Sequence, residues 1–398
     1  MLSGMSIAAI LKQGREKPVQ AGHPWIFSGA VAAWNGSPGP GSCVEVFAHD
    51  RTWVGRGLAN PQGSLAIRVY TRDEAQALET SYFAAKLDAA IAWREQVVLP
   101  AEPDTDSFRL CFSESDGLSG LVVDRYADHA SLHLNTSLLL PHLPAFRDVL
   151  TARGLTTTVQ IDSDSFAKEG GAAPPAMSDT TPSRRITIRE SGFSYEVDPA
   201  AGQKTGFYLD QRVNRRRVAA YARDRRCLSA YCYTGGFETN LARAGAASIT
   251  GLDRSEPAIA QARINQSLNP GGTPVDYLVA DVPEQLRSYR DHRTTFDLIV
   301  LDPPKFVHNQ GQIEKGLRAY KDINRLAMKL LTPGGILATF SCSGWVKTGE
   351  FLKAIGWAAE DAGRDIQILE HLTQPPDHPV LLSFPESDYL CGLILRVV

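Results

Sequence analysis

No apolar run in this chain approaches the roughly 20 residues that a membrane-crossing helix requires. The opening stretch, MLSGMSIAAILKQGREK, holds a short apolar patch. No basic n-region precedes that patch and no cleavage-like site closes it, so it reads as the start of a strand or helix. Cysteine is scarce and scattered: Cys43, Cys111, Cys227, Cys232, Cys342 and Cys391, with no CxxC pair and no Cys/His cluster. That spacing supports neither a disulfide framework nor a zinc site, so no metal is expected and the location is expected to be cytoplasmic. An excess of charge of one sign is lacking too. The net charge is −3, so any nucleic-acid surface has to be a local patch.

The chain does carry a wound α/β pattern centred on FDLIVLDPPKF, Phe296–Phe306. The short apolar run Leu298–Leu301, closed by Pro303 and Pro304, predicts a strand buried on both faces. The prolines cannot donate to a ladder, so the strand ends there and leaves Asp302 at its carboxyl end. Ligands bind at that end of open α/β sheets. Lys305 and Phe306 offer a charge and an aromatic face beside it.

Three units precede or surround this strand. Residues 1–72 read as an all-β unit, a small barrel: alternating runs at Ser42–Phe47, Trp53–Leu58 and Leu65–Tyr70 are separated by Asn35-Gly36, Pro38–Gly41 and Asn60-Pro61. Trp25 and Phe27 within HPWIFSGA are either core or an RNA-stacking surface. A helix over Ser81–Val98 opens a central α+β domain, 73–190, with strands in the order β-β-α-β, or β-β-α-β-β, and a hairpin signature at Asp116-Gly117. Lys168–Pro182 reads as a loop or linker.

In the third unit, 191–398, strict strand–helix alternation predicts a parallel, doubly wound sheet with two closing strands antiparallel to each other. Between Lys204 and Arg226 stand eight basic residues (Lys204, Arg212, Arg215, Arg216, Arg217, Arg223, Arg225, Arg226) against two acids (Asp210, Asp224). This is either a solvated helix face or a phosphate-contacting patch.

The first strand–helix turn of the sheet discriminates between cofactors. A dinucleotide fold wants G-x-G-x-x-G for its pyrophosphate. Here the turn is Tyr233-Thr234-Gly235-Gly236-Phe237, with no third glycine, which suits S-adenosylmethionine. Asp253, beside Arg254, ends the next strand and can accept from ribose hydroxyls; Asp281, one strand later, can take the adenine amino group. A lone strand-end Asp serves equally as a helix N-cap, but acids end three strands here, at 253, 281 and 302.

A DPP motif followed by an aromatic suits methylation of an exocyclic amine on a flipped base. Cys342, in FSCSG at the end of the following strand, opens another chemistry. A thiolate adding at carbon 6 of a pyrimidine makes carbon 5 nucleophilic, and a base must later remove the carbon-5 proton. The alternative is a cysteine that simply packs.

GQKTGFYLDQR (Gly202–Arg212), YTGGF, LDPPKF, TFSCSG and the early HPWIFSGAV together resemble the bacterial large-subunit ribosomal RNA cytosine-5 methyltransferase I family, over nearly the whole chain. The resemblance implies an N-terminal PUA domain, a central α+β domain and a C-terminal class I methyltransferase domain, Rossmann-like and mostly parallel with an antiparallel C-terminal strand. It implies 5-methylcytosine formation at one cytosine of 23S ribosomal RNA, with Cys342 as nucleophile and Asp302 holding ring nitrogen 3 or the amino group. Expected cofactor contacts are Tyr233–Phe237, Asp253, Arg254, Asp281, Asp302, Tyr208 and Gln211, the last two in a cap over the cofactor. Expected substrate contacts are Lys305, Phe306, Lys204 and Arg212. Expected partners are 23S ribosomal RNA or a large-subunit assembly intermediate, with no membrane, and a homodimer is one assembly to test. Two other readings stay open: a same-fold methyltransferase acting on guanine or an exocyclic amine, and a non-catalytic ribosome-assembly factor.

Overall fold

The computed structural model describes residues 7–168, 185–199 and 207–398. The chain forms two compact units: Met1–Ile188 with Val197–Phe207 and Pro376–Ser387, and Arg189–Glu196 with Tyr208–Pro375 and Asp388–Val398. Among the described residues no helix is long and apolar enough to cross a membrane.

The first unit opens with six strands: β1 (Ala8–Leu11), β2 (Trp25–Phe27), β3 (Val31–Asn35), β4 (Cys43–Phe47), β5 (Trp53–Ala59) and β6 (Leu65–Thr71). Their hydrogen-bonded order is β2-β6-β5-β4-β1-β3, so the expected all-β unit is a six-stranded mixed sheet. Period-two alternation explains the faces. Val44 and Val46 are buried, while Glu45 between them accepts from Arg56 at 2.7 Å and from the Trp53 indole at 2.6 Å. Of the early aromatic pair, Trp25 packs edge-on against Phe384 and donates to the Glu114 carboxylate at 2.9 Å. Phe27 is 52% exposed.

The same unit contains β7 (Ser107–Phe112), β8 (Leu121–Tyr126), β9 (His129–Leu134) and β10 (Thr156–Ile161), in the order β10-β9-β8-β7. Helix α1 (Thr80–Trp93) lays Phe83, Leu87 and Ile91 into their core, and α2 (Leu143–Thr151) carries the chain from β9 to its parallel neighbour β10. Three strands thus precede the second helix, a β-β-β-α-β order. The β8–β9 hairpin turns on Ala127 at φ +54, where a turn signal calls for Gly or Asn. Past Trp93 the expected helix continues as a π turn, Arg94–Val98. There the buried Arg94 guanidinium forks onto Asp116 at 2.9 and 2.8 Å.

A hairpin of β11 (Ile186–Glu190) and β12 (Phe193–Val197) turns on Ser191 and Gly192, both at positive φ. The second unit is built on seven strands: β13 (Arg226–Ala230), β14 (Ser248–Asp253), β15 (Val275–Val279), β16 (Phe296–Leu301), β17 (Leu331–Ser341), β18 (Ile366–Leu372) and β19 (Cys391–Val397). Their order is β15-β14-β13-β16-β17-β19-β18, parallel except for β19, which runs antiparallel between β17 and β18. Among the described residues six helices flank them: α3 (Arg212–Ala219), α4 (Gly236–Arg243), α5 (Glu256–Ser267), α6 (Val282–Asp291), α7 (Ile313–Leu330) and α8 (Thr348–Ala362). Helix α7 shows why these segments are helical. Tyr320, Ile323, Ala327 and Leu330 recur at helical spacing and are buried, while Lys315, Arg318 and Lys329 face solvent. Leu298–Leu301 of β16 is fully buried, as a parallel strand covered on both faces must be.

Candidate active site

The strand order reverses between β13 and β16, so the crevice outside their carboxyl ends is the switch point where a wound sheet binds ligands. Asp302 follows β16 directly, and its amide donates to the Ala230 carbonyl at the end of β13. The turn leaving β13 is unusual backbone. Tyr231, Tyr233 and Gly235 have φ of +65, +47 and +85. Left-handed conformations at non-glycine residues cost on the order of 1 kcal/mol or more and gather at functional sites. A Cβ on Gly235 would lie 2.7 Å from the Tyr277 hydroxyl, and one on Gly236 2.6 Å from Arg215 Nε. The two glycines let the turn sit flush on those side chains.

Asp253 ties two loops together. Its Oδ2 accepts from the Tyr233 amide at 3.0 Å and its Oδ1 from the Ser255 amide at 2.9 Å. Each oxygen keeps a further lone pair, so a ribose diol fits there. Arg254 beside it is exposed. Asp281 is exposed and caps α6, accepting from the Glu284 amide at 3.1 Å, so its N-cap role is realised. Thr234 is buried, its carbonyl held by the Asn265 amide group at 2.9 Å. Phe237, expected at the cofactor, packs its ring on Phe340 inside the core.

Tyr208 stands edge-on to Tyr233, with ring centroids 5.2 Å apart. Burial, and then the Asp302 carboxylate, push its phenol well above the ordinary value, so it is a neutral hydroxyl donor. Gln211 donates its side-chain amide to Asp302 Oδ1 at 3.1 Å. Cys342, at the end of β17, is partly exposed, and its sulfur lies 3.9 Å from the Pro303 carbonyl oxygen. Cys111, Cys227, Cys232 and Cys391 are buried, and burial pushes the Cys227 thiol up to about 12. Phe306 lies half-buried against the Tyr320 ring at 4.8 Å, and Lys305 is exposed. The Ser343 hydroxyl meets both the Tyr320 hydroxyl at 3.1 Å and the Val307 amide at 3.4 Å, pinning the loops after β16 and β17 to each other. Ser343 carries no sequence signal of that role beyond its place in FSCSG.

The expected basic patch does not form one surface. Arg212 is 0% exposed and Arg215 only 3%, so neither can meet an RNA backbone. Arg215 pairs with Glu190 at 2.6 Å; Arg217 pairs with Glu370; Arg226 pairs with Asp297 at 3.0 Å. Arg223, Arg225 and Arg226 stand at the amino end of β13, the sheet edge opposite Asp302 and Cys342. Lys204, with the first half of the expected cap, lies outside the described residues, as does most of the Lys168–Pro182 linker.

Among the described residues, the partly exposed groups at the switch point include Tyr208, Tyr233, Asp253, Asp302 and Cys342. A neutral glycine turn with a carboxylate one strand away fits S-adenosylmethionine, which brings a ribose diol and no phosphate.

A family model described as a PUA-like domain matches residues 9–72, and one described as an S-adenosylmethionine-dependent methyltransferase matches residues 174–393. The ribosomal RNA large subunit methyltransferase I of Shewanella denitrificans is 42% identical, covering 99% of this chain and 100% of its own length. That of Cronobacter sakazakii is 39% identical with the same coverage. Among solved structures, a candidate SAM-dependent methyltransferase from Streptococcus mutans superposes with a TM-score of 0.81 at 21% identity, covering 98% of this chain and 100% of that one. A candidate methyltransferase complexed with SAH gives 0.82 at 20% identity, again over 98% and 100%. These two likenesses speak for the fold.

Proposed function

We propose that this chain, which belongs to the ribosomal RNA large subunit methyltransferase I family, forms 5-methylcytosine at one cytosine of 23S ribosomal RNA. It is an S-adenosylmethionine-dependent methyltransferase with a PUA-like domain at its N-terminus. The observation that carries the finer reading is the partly exposed Cys342 thiol beside the Asp302-Pro303 loop at the switch point.

The chemistry follows from those residues. Carbon 5 of cytosine is a weak nucleophile. The Cys342 sulfur, losing its proton, adds to carbon 6; the ring electrons shift so that carbon 5 becomes enamine-like. S-adenosylmethionine supplies the electrophilic methyl on its sulfonium sulfur. Asp302 accepts from the amino group or from protonated ring nitrogen 3, which favours the electron-rich ring. A base then takes the carbon-5 proton, the carbon 5–carbon 6 double bond reforms, and the Cys342 thiolate leaves. Phe306 and Lys305 at the same mouth suit an unstacked base and its phosphate. Residues 1–72, with the exposed Phe27, are assigned to holding the RNA.

RNA carrying 5-fluorocytidine tests this directly. With fluorine at carbon 5 there is no proton to remove, so the wild-type protein should stay joined to the RNA through denaturing electrophoresis and the Cys342→Ala variant should not. Methyl mapped to a guanine, or to an exocyclic nitrogen, overturns the reading.

A further inference from the structure

We propose that Asn214 is a positioning residue for this reaction, acting through Gln211 to hold the Asp302 carboxylate in its accepting orientation. The proposal rests on the role given to Asp302 above. Three hydrogen bonds carry it. Asn214 Nδ2 donates to the Thr373 main-chain carbonyl at 3.1 Å and to Gln211 Oε1 at 2.7 Å, and Gln211 Nε2 donates to Asp302 Oδ1 at 3.1 Å.

The polarity of this chain is set at its far end. A peptide carbonyl can only accept, so the group Asn214 turns toward Thr373 must be its NH2. That NH2 also faces Gln211, so Gln211 must present its oxygen there. Its own NH2 is then left for Asp302. Neither amide can turn over without setting two acceptors against each other. Asn214 is 1% exposed and Gln211 3%, so water does not substitute for a lost partner.

Helix α3 and the turn before it, Leu209–Gln211, are fixed on their other sides too. Asp210 Oδ2 accepts from the Tyr389 hydroxyl at 2.6 Å. Arg215, paired with Glu190, donates to the Tyr208 carbonyl at 2.6 Å. Within the basic run, the buried Arg212, Asn214 and Arg215 are therefore part of the internal frame of the site. Its asparagine transmits orientation from the end of β18 to the acid at the end of β16.

Asn214→Asp tests the relay with almost no change of shape. An aspartate cannot donate to Thr373 or Gln211. It draws the Gln211 NH2 toward itself and turns the Gln211 oxygen onto Asp302. Methyl transfer to unmodified large-subunit RNA should lose about 10- to 100-fold in kcat, with the KM for RNA and the affinity for S-adenosylhomocysteine held within about three-fold. Gln211→Glu, which keeps the Asn214 bond but sets a carboxylate against Asp302, should lose kcat to a similar extent, and it carries the test if Asn214→Asp does not fold. Asp302→Asn separates the two ideas. If it turns over normally, the role of Asp302 fails and the relay with it. If it is impaired while either folded relay variant keeps wild-type kcat, the relay alone is overturned. A loss of kcat that only follows a fall in melting temperature or in S-adenosylhomocysteine affinity also overturns it.

Discussion

The Cys342 sulfur stands 3.9 Å from the carbonyl oxygen of Pro303, so the residue proposed as nucleophile leans on the motif that carries the proposed acid. Cys342→Ala should lower single-turnover methyl transfer on the order of 10³-fold or more, with S-adenosylmethionine affinity by calorimetry unchanged. Normal transfer by this variant would assign the sulfur to packing.

Glu238, in the first turn of α4, is completely buried. Burial raises its carboxyl from 4.5 to about 7, with the Ser229 hydroxyl and the Arg215 guanidinium opposing. An acid held neutral in the fold favours folding below its ordinary value. As pH rises from about 4.5 to about 7 the unfolded chain ionises first, and that stability is lost. Glu238→Gln should therefore be more stable than wild type at pH 8, on the order of 3 kcal/mol, and the difference should shrink toward pH 5. Urea midpoints of both proteins at the two pH values decide it.

Gly235→Ala places a Cβ 2.7 Å from the Tyr277 hydroxyl at a backbone φ of +85. The expected cost is about 1–3 kcal/mol in denaturant unfolding, together with weaker cofactor binding as the turn shifts. Tyr277→Phe alone should be neutral or slightly stabilising, because that buried hydroxyl has no hydrogen-bond partner among the described residues. Combined with Gly235→Ala, it should recover part of the loss.

RNA binding should depend on salt through the carboxyl edge of the sheet. Lys305→Ala is expected to reduce the slope of log affinity against log salt by about one. Arg223→Ala, at the amino end of β13, should leave the slope unchanged. Filter binding across a salt series measures both, and a change at Arg223 alone would place the RNA on the opposite edge.

The wound sheet was legible from the alternation of strands and helices, and its central strand because a parallel strand covered on both faces reads as an unbroken apolar run. Leu298–Leu301 before Asp302 is the plainest case, and it placed Asp302 and Cys342 on neighbouring strand ends. Within β17, Pro333-Gly334-Gly335 has the composition of a turn, yet it lies at an irregularity inside the ladder, between the pairs Phe296–Leu331 and Leu298–Ile336. The basic run from Arg212 misled because counting charges says nothing about burial. Its partners Glu190, Asp297 and Glu370 are far away in sequence. The Asn214–Gln211 relay was invisible for the same reason, since its direction is decided by the Thr373 carbonyl, 159 residues downstream.

The placement of β19 bears on how the protein is made. The strand of residues 391–397 lies between β17 and β18, inside the sheet. While the ribosome still holds those residues in its exit tunnel, β17 shows a bare flank of Ile336, Leu337, Ala338, Thr339 and Phe340, and β18 has nothing to pair with. The nascent chain must keep that flank from sticking to its neighbours until translation delivers the wedge that closes it.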